Sequence, residues 1–150
     1  NYLRDYLTNV FYQDAFSSTD ISKIVGRDLT EGDLYPQTNS SSSTVVLPDQ
    51  KVFTPTYDDM NNADEYGFTT DNTRLKSPTD FAIANYTSLY TSTSNATIDR
   101  VNGGTGYYYL CSSGSSASLA YYVYIYGYVN DFSLVYGTDA GVCPALLFNL

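Results

Sequence analysis

An α+β domain is the fold class this sequence predicts, with short N-terminal helices, a small antiparallel sheet and long loops. Three observations predict it. Over residues 2–11, Leu3, Tyr6, Leu7, Val10 and Phe11 recur at helical spacing and would turn one apolar stripe to a core. After Gly103-Gly104 the pattern changes to short aromatic and β-branched runs, which are strand-like in length and composition. Between the two lies a Ser/Thr/Asn-rich stretch over 28–50, including four serines at 40–43, that reads as surface loop. The 150 residues suit one domain spanning 1–150, long enough to bury a hydrophobic core.

The elements follow in order. Ser17 or Ser18 caps a second short helix that carries Ile21, Ile24 and Val25 inward and ends at Gly26. Val52 and Phe53 make a short strand, and Pro55 with Asp58-Asp59 suits a helix start. Ser77-Pro78-Thr79-Asp80 reads as a cap, a Pro at the first helical position and an acid in the first turn, ahead of a helix over 81–86. Strands are expected over 107–111, 119–124, 128–132 and 142–147, the last interrupted by Pro144. Gly127 leaves two readings of the middle. An unbroken strand would put Tyr122, Tyr124, Tyr126 and Tyr128 on one face, whereas a tight turn at Tyr126-Gly127 would place Tyr124, Ile125 and Tyr126 at a hairpin tip. In both, these side chains point outward.

Composition narrows the function. Nine of the seventeen tyrosines fall between Tyr107 and Tyr136, interleaved with Ser, Gly, Asn and Asp. Tyr supplies a large, stiff, amphipathic contact, and small polar residues adapt their hydrogen bonds, so the segment has the make-up of a binding surface. Aromatic residues also favour strands for structural reasons, but a core would use Phe, Leu and Val before so many hydroxyls in need of partners. The net charge of −9 repels polyanions and argues against nucleic acid as a partner. No apolar run approaches the ~18 residues that cross a bilayer, and no signal segment opens the chain, so a soluble domain without direct membrane insertion is expected. The chain opens at Asn1 inside a helical pattern, which reads as a trimmed piece of a longer protein.

Cys111 and Cys143 are the only cysteines. Two readings compete. As a disulfide they would close a loop around the Tyr-rich segment and stabilise it by roughly 3–4 kcal/mol; as free thiols they would be small buried hydrophobes. Two thiols and no His do not make a zinc cage, so no metal and no cofactor is expected.

The C-terminal run of Leu110, Ser112, Gly114, Ala120, Val123, Gly127, Val129, Gly141, Val142, Pro144, Ala145 and Leu146 resembles the end of a bacterial and phage domain family with a C-type-lectin-like fold. Earlier segments agree in order: Tyr2-Leu3-Arg4-Asp5-Tyr6-Leu7, Ala15-Phe16-Ser17, Asp49-Gln50-Lys51-Val52-Phe53 and Lys76-Ser77-Pro78-Thr79-Asp80-Phe81-Ala82. Within that fold the chain is similar to the variable proteins of diversity-generating retroelements, in which framework residues alternate with free positions. Such systems randomise the adenines of a template, so an AAY Asn codon becomes Tyr, Ile, Phe, Leu, Asp, Thr, Ser or Gly without reaching a stop.

The resemblance implies a variable region over about 107–147 and a C-type-lectin-like ligand-binding domain. Val123, Gly127, Val129 and Gly141 would be framework, with Val123, Val129, Val142 and Leu146 buried. The free positions that fit the codon menu are Tyr124, Ile125, Tyr126, Tyr128, Asp131, Phe132, Leu134, Tyr136, Thr138 and Asp139, with Asn130 as an unmutated template residue. Ser116, Ser118, Leu119, Tyr121 and Tyr122 complete the expected ligand-binding set. The partner would be a protein or cell-surface ligand, met outside the cell or at a virion surface, and bound without catalysis.

Departures from the family pattern carry their own implications. Cys111 and Cys143 both stand where the motif has Arg, and this joint replacement implies a disulfide and an oxidising setting. Ser113 replaces a Pro, and Tyr108 and Tyr109 replace Trp. The Glu-Pro-Asn motif that binds calcium and sugar in animal lectins is missing, so sugar binding does not follow from the fold. Two rival classes remain. Formylglycine-generating enzymes have a similar fold and use a cysteine pair, yet this chain lacks Trp, His and their surrounding motif; a hydrolase built on Asp58, Asp59, Asp64 or Glu65 needs acids that converge in space. The other rival is a structural module, such as a fibre tip with an incidental Tyr face.

Overall fold

The computed structural model of the protein describes residues 2–84, 104–135 and 140–149, and for 132–134 the backbone alone. It is α+β, with short helices gathered in the first half and most strands in the second. The N-terminus is one helical run in three parts: α1 (Tyr2–Tyr6), a π turn (Leu7–Phe11) and α2 (Tyr12–Ala15). Leu7 is buried and Leu3 and Phe11 are half-buried, while Tyr6 and Val10 are exposed. The expected stripe therefore narrows to positions four apart. The i→i+5 bonding of the π turn widens the winding, which lines up Leu3, Leu7 and Phe11 and swings the other two aside.

Ser17 caps α3 (Ser18–Ile21): its hydroxyl accepts from the Asp20 N–H and the Asp20 carboxylate accepts from the Ser17 N–H. The helix then stops earlier than expected. Ile24 and Val25 form β1 (Ile24–Val25), as suits adjacent β-branched residues, and only Ile24 is buried. Most of the stretch expected to be loop is structured, while residues 40–44, with the four serines, are turn and loop as expected. It contains β2 (Arg27–Thr30), α4 (Glu31–Leu34), α5 (Pro36–Asn39) and β3 (Val45–Gln50), with β2 and β3 paired antiparallel through Leu29 and Leu47. Some of its polar residues hold these elements in place. Thr30 and Asp33 close a box on α4, Pro36 opens α5, and the Ser42 hydroxyl donates to the Glu31 carboxylate at 2.8 Å. Leu29 and Leu34 are buried beneath them.

Thr56 and Asp59 cap α6 (Tyr57–Asn61), followed by α7 (Ala63–Tyr66), α8 (Asp71–Arg74) and α9 (Asp80–Ala84). The start of α9 differs from expectation: the helix begins at Asp80, so Pro78 precedes it, and the Thr79 hydroxyl accepts the Ala82 N–H at 3.2 Å. Tyr86 lies outside the described residues.

The central sheet comprises β4 (Tyr108–Ser113), β5 (Leu119–Val123), β6 (Val129–Leu134) and β7 (Gly141–Val142), in the order β6-β5-β4-β7. It is antiparallel except for β7, which runs parallel to β4. The last expected strand is split. Pro144 cannot donate to a ladder, so after Val142 the chain leaves the sheet. Ala145 then bridges Phe53 through two backbone bonds of 3.0 and 2.7 Å, and β8 (Leu147–Phe148) pairs antiparallel with β1.

Two apolar clusters flank β4. Met60, Tyr108, Leu110, Tyr121 and Val123 form one, with Val129 and Cys143 packed on it; Leu29, Leu34 and Phe53 form the other, with Cys111 packed on it. The expected disulfide is corrected by this arrangement. Both cysteines are free. Their strands are neighbours, but Tyr108 faces Gly141 and Tyr109 faces Val142, and continuing that register puts Cys143 opposite Leu110. One residue out of phase sends the two thiols to different clusters. Burial pushes the Cys111 thiol up to about 12 and raises that of Cys143. Val142, expected to be buried, is 41% exposed on the short edge strand, whereas Val123 is fully buried and Val129 and Leu146 are half-buried.

Candidate functional site

The alternation of β5 sorts the tyrosines. Tyr121 and Val123 point into the core, while Tyr122 and Tyr124 stand on the opposite face and are half-buried. Tyr121 is thus a core residue, against expectation. Its ring packs 4.5 Å from Tyr57 and its hydroxyl accepts a short hydrogen bond from the Gln37 side chain, so the polar tip is satisfied.

Of the two readings at Gly127, the turn is the one observed. The Tyr124 N–H donates to the Tyr128 carbonyl at 2.9 Å and the Gly127 N–H to the Tyr124 carbonyl at 2.8 Å. Gly127 takes φ +92, and its Cα lies so close to the α8 start that a Cβ would fall 1.8 Å from the Asp71 carbonyl oxygen. Ile125, expected to face outward, is 4% exposed. The turn rolls it under the tip, where the buried Thr105 hydroxyl donates to its carbonyl at 2.8 Å.

On the outer face five rings meet. Tyr124 is the hub: Tyr128 stacks on it at 4.8 Å, Tyr107 meets it edge-on at 5.1 Å, Tyr126 lies at 5.5 Å and Tyr122 at 6.2 Å. Tyr107 also lies 5.9 Å from Tyr122. Tyr126 and Tyr128 are the most open, at 49% and 39% exposed. Burial, and then the neighbouring Tyr124 and Tyr126, raise the Tyr128 phenol above its ordinary value, so it stays neutral at physiological pH. Asn130 pairs with Tyr122 across the strands and extends the same face with an amide. This is a platform of rings edged with hydrogen-bonding groups.

No family model, curated protein or solved structure matches this sequence.

The expected ligand-binding set is thus brought together only in part. Tyr122, Tyr124, Tyr126, Tyr128 and Asn130 share the platform. Asp131, against expectation, alternates to the opposite face, half-buried on the side of Tyr121, and its N–H donates to the Asn130 side-chain oxygen at 2.7 Å. Phe132 and Leu134 lie on β6, and Tyr136, Thr138 and Asp139 lie outside the described residues. Ser116 and Ser118 are exposed, but they sit in the turn at the other end of β5, roughly 20 Å of strand away from the tip, with half-buried Leu119 next to them. Tyr107 was missed as a member. The signal was present, since Tyr107 and Tyr109 flank the inward-facing Tyr108 at period two and Tyr109 registers with Tyr122.

Of the acids considered for a hydrolase, Asp59 and Glu65 do structural work. Asp59 is buried, accepts from Arg27 at 2.7 Å and from the Thr56 N–H at 2.8 Å, and Asp33 closes the same network at 3.3 Å from Arg27. Burial, then Asp33 and Asp59, raise the Asp58 carboxyl. Glu65 holds the Asn62 cap, and Asp64 is exposed. A cavity of about 380 Å³ lies between the N-terminal helix, β2 and β3, with Leu7, Leu29, Leu47 and Cys111 in its wall. None of the five rings borders it.

Proposed function

We propose that this domain is a C-type-lectin-like, non-catalytic binding module of the retroelement-diversified kind, and that its ring platform recognises a protein or cell-surface ligand. The observation that carries the reading is the position of the rings: five tyrosines from β4, β5 and the hairpin turn converge on one outer face, while the intervening residues anchor the same segment in the core. Rigid aromatic anchors supply buried area at low entropic cost, and Asn130 sets polar specificity. Short N-terminal helices and a small, mostly antiparallel sheet are in keeping with the proposed fold. With both thiols free, placement outside the cell or on a virion rests on the resemblance and not on the cysteines.

Two libraries test the site. Randomising Tyr122, Tyr124, Tyr126, Tyr128 and Asn130 should leave most members folded by melting temperature, and randomising Tyr121, Val123 and Ile125 should leave few. Widespread misfolding of the first library would return the rings to a structural role. The diversification is tested at the locus: a reverse transcriptase beside a near-copy of the 3′ coding sequence that differs at adenines supports it, and flanks without either overturn it.

A further inference from the structure

We propose that the partner presents arginine side chains, and that its guanidinium groups stack on the open faces of Tyr126 and Tyr128; this rests on the binding reading above. Three features lead there. The first is the field of the molecule. Acids outnumber bases to a net charge of −9, and Arg4, Arg27, Lys51 and Arg74 are each bridged to a carboxylate of the protein itself. A cationic partner is therefore drawn in and an anionic one repelled.

The second feature is the chemistry of the rings. A ring carries its negative potential on its face and its positive potential on its edge. Around Tyr124, edge-on and tilted neighbours satisfy much of that preference internally, at 64° for Tyr107 and 71° for Tyr122. Tyr126 and Tyr128, at the tip, keep the largest open area. Those faces are the free acceptors for a cation.

The third feature is shape, which decides between the two basic side chains. An ammonium or quaternary amine is held best by rings that enclose it as a cage. Here the rings fill one another's space, with Tyr128 stacked at 25° on Tyr124, and so they form a platform. A planar guanidinium stacks on such a platform while its N–H groups remain free to bond the phenol oxygens and the Asn130 amide at the rim. The partner that fits is a protein surface or segment rich in arginine.

The test uses labelled nona-arginine, nona-lysine and nona-glutamate peptides, titrated against the whole domain by fluorescence anisotropy at ~0.15 M salt. Two double variants hold the net charge constant: Tyr126→Leu with Tyr128→Leu, and Tyr126→Phe with Tyr128→Phe. The expected result is that the wild type binds nona-arginine several-fold more tightly than nona-lysine, that the Leu pair loses about fivefold to tenfold, and that the Phe pair stays within about twofold. If the Leu pair binds nona-arginine as well as the wild type, attraction is only the general field and the stacking proposal is overturned. A Phe pair as weak as the Leu pair overturns it too, because hydroxyls would then be the determinant. Preference for nona-glutamate, or binding of none of the three, removes the cationic partner. These outcomes leave the libraries above to decide separately whether the platform is a binding surface at all.

Discussion

Gly127→Ala and Gly67→Ala form a matched pair that isolates how the hairpin tip is held. Both glycines sit in the left-handed region, Gly67 at φ +73 as the C-cap of α7 and Gly127 at φ +92 in the turn. A methyl at Gly67 meets nothing within 4 Å, whereas at Gly127 it would lie 1.8 Å from the Asp71 carbonyl oxygen and 2.5 Å from its carbon. Each substitution costs about 1–2 kcal/mol for the left-handed backbone, offset by about 0.4–1 kcal/mol of lost freedom in the unfolded chain. Gly67→Ala should therefore destabilise by about 0.5–1 kcal/mol. Gly127→Ala adds the cost of moving backbone that has no flexible end to yield, about 1–3 kcal/mol by comparison with overpacked cores. Its total is about 2–4 kcal/mol, or roughly 5–15 °C in melting temperature for a chain of this length. Urea unfolding read by far-UV circular dichroism measures both. Equal costs within about 0.5 kcal/mol would refute the close approach of the tip to α8, and with it the reason for glycine at this position.

Three further outcomes follow from the same geometry. Arg74 donates to the Met60 and Phe68 carbonyls and to Asp71, so Arg74→Met should cost about 2–4 kcal/mol through the stranded carbonyls, while Asp71→Asn at an exposed carboxylate should cost under about 1 kcal/mol by urea unfolding; the reverse order would refute a structural role for the backbone bonds. Thiol titration without reductant should find two sulfhydryls per denatured chain and slow alkylation of Cys111 in the native one; absence of free thiols would restore the disulfide. Stability should fall on the alkaline side, because folding raises the pKa of Cys111, Cys143, Tyr108 and Tyr121; the folded form is fully favoured below the ordinary values of 9.0 and 10.0 and loses ground as pH climbs through them toward the raised ones. A melting temperature that stays flat from pH 8 to 11 would contradict that burial.

What the sequence made legible was local and periodic. The strand candidates after Gly104 appear with edges shifted by one or two residues, because period two and β-branched or aromatic content are properties of the segment itself. The polar stretch over 28–50 is loop only at 40–44, because Thr30, by its spacing to Asp33, is a cap that starts a helix. Ser17 with Asp20, Thr30 with Asp33 and Thr56 with Asp59 are the same box three times over. The split of the last strand and the phase between Cys111 and Cys143 depend on which strands become neighbours, and no local pattern carries that. Ile125 was lost for a similar reason, since only the observed turn rolls it inward.

The placement of the rings gives the hairpin a division of labour that its sequence alone does not announce. A strand presents alternate residues to opposite faces, so one face can be fixed by packing while the other is released from it. Here Tyr121, Val123 and Ile125 hold the segment in the core, Gly127 locks the tip against α8, and Thr105 ties the Ile125 carbonyl from beneath. Tyr122, Tyr124, Tyr126 and Tyr128 are then carried on a backbone whose geometry does not depend on them. Side-chain and loop ordering is among the costs of association, at about 0.5–1.5 kcal/mol per immobilised side chain, and rings already packed on one another have met much of it before a partner arrives. On the proposed reading, such a surface would accept exchange of its outward residues at little cost to the fold, which is the physical requirement for any domain whose recognition is to be changed without being rebuilt.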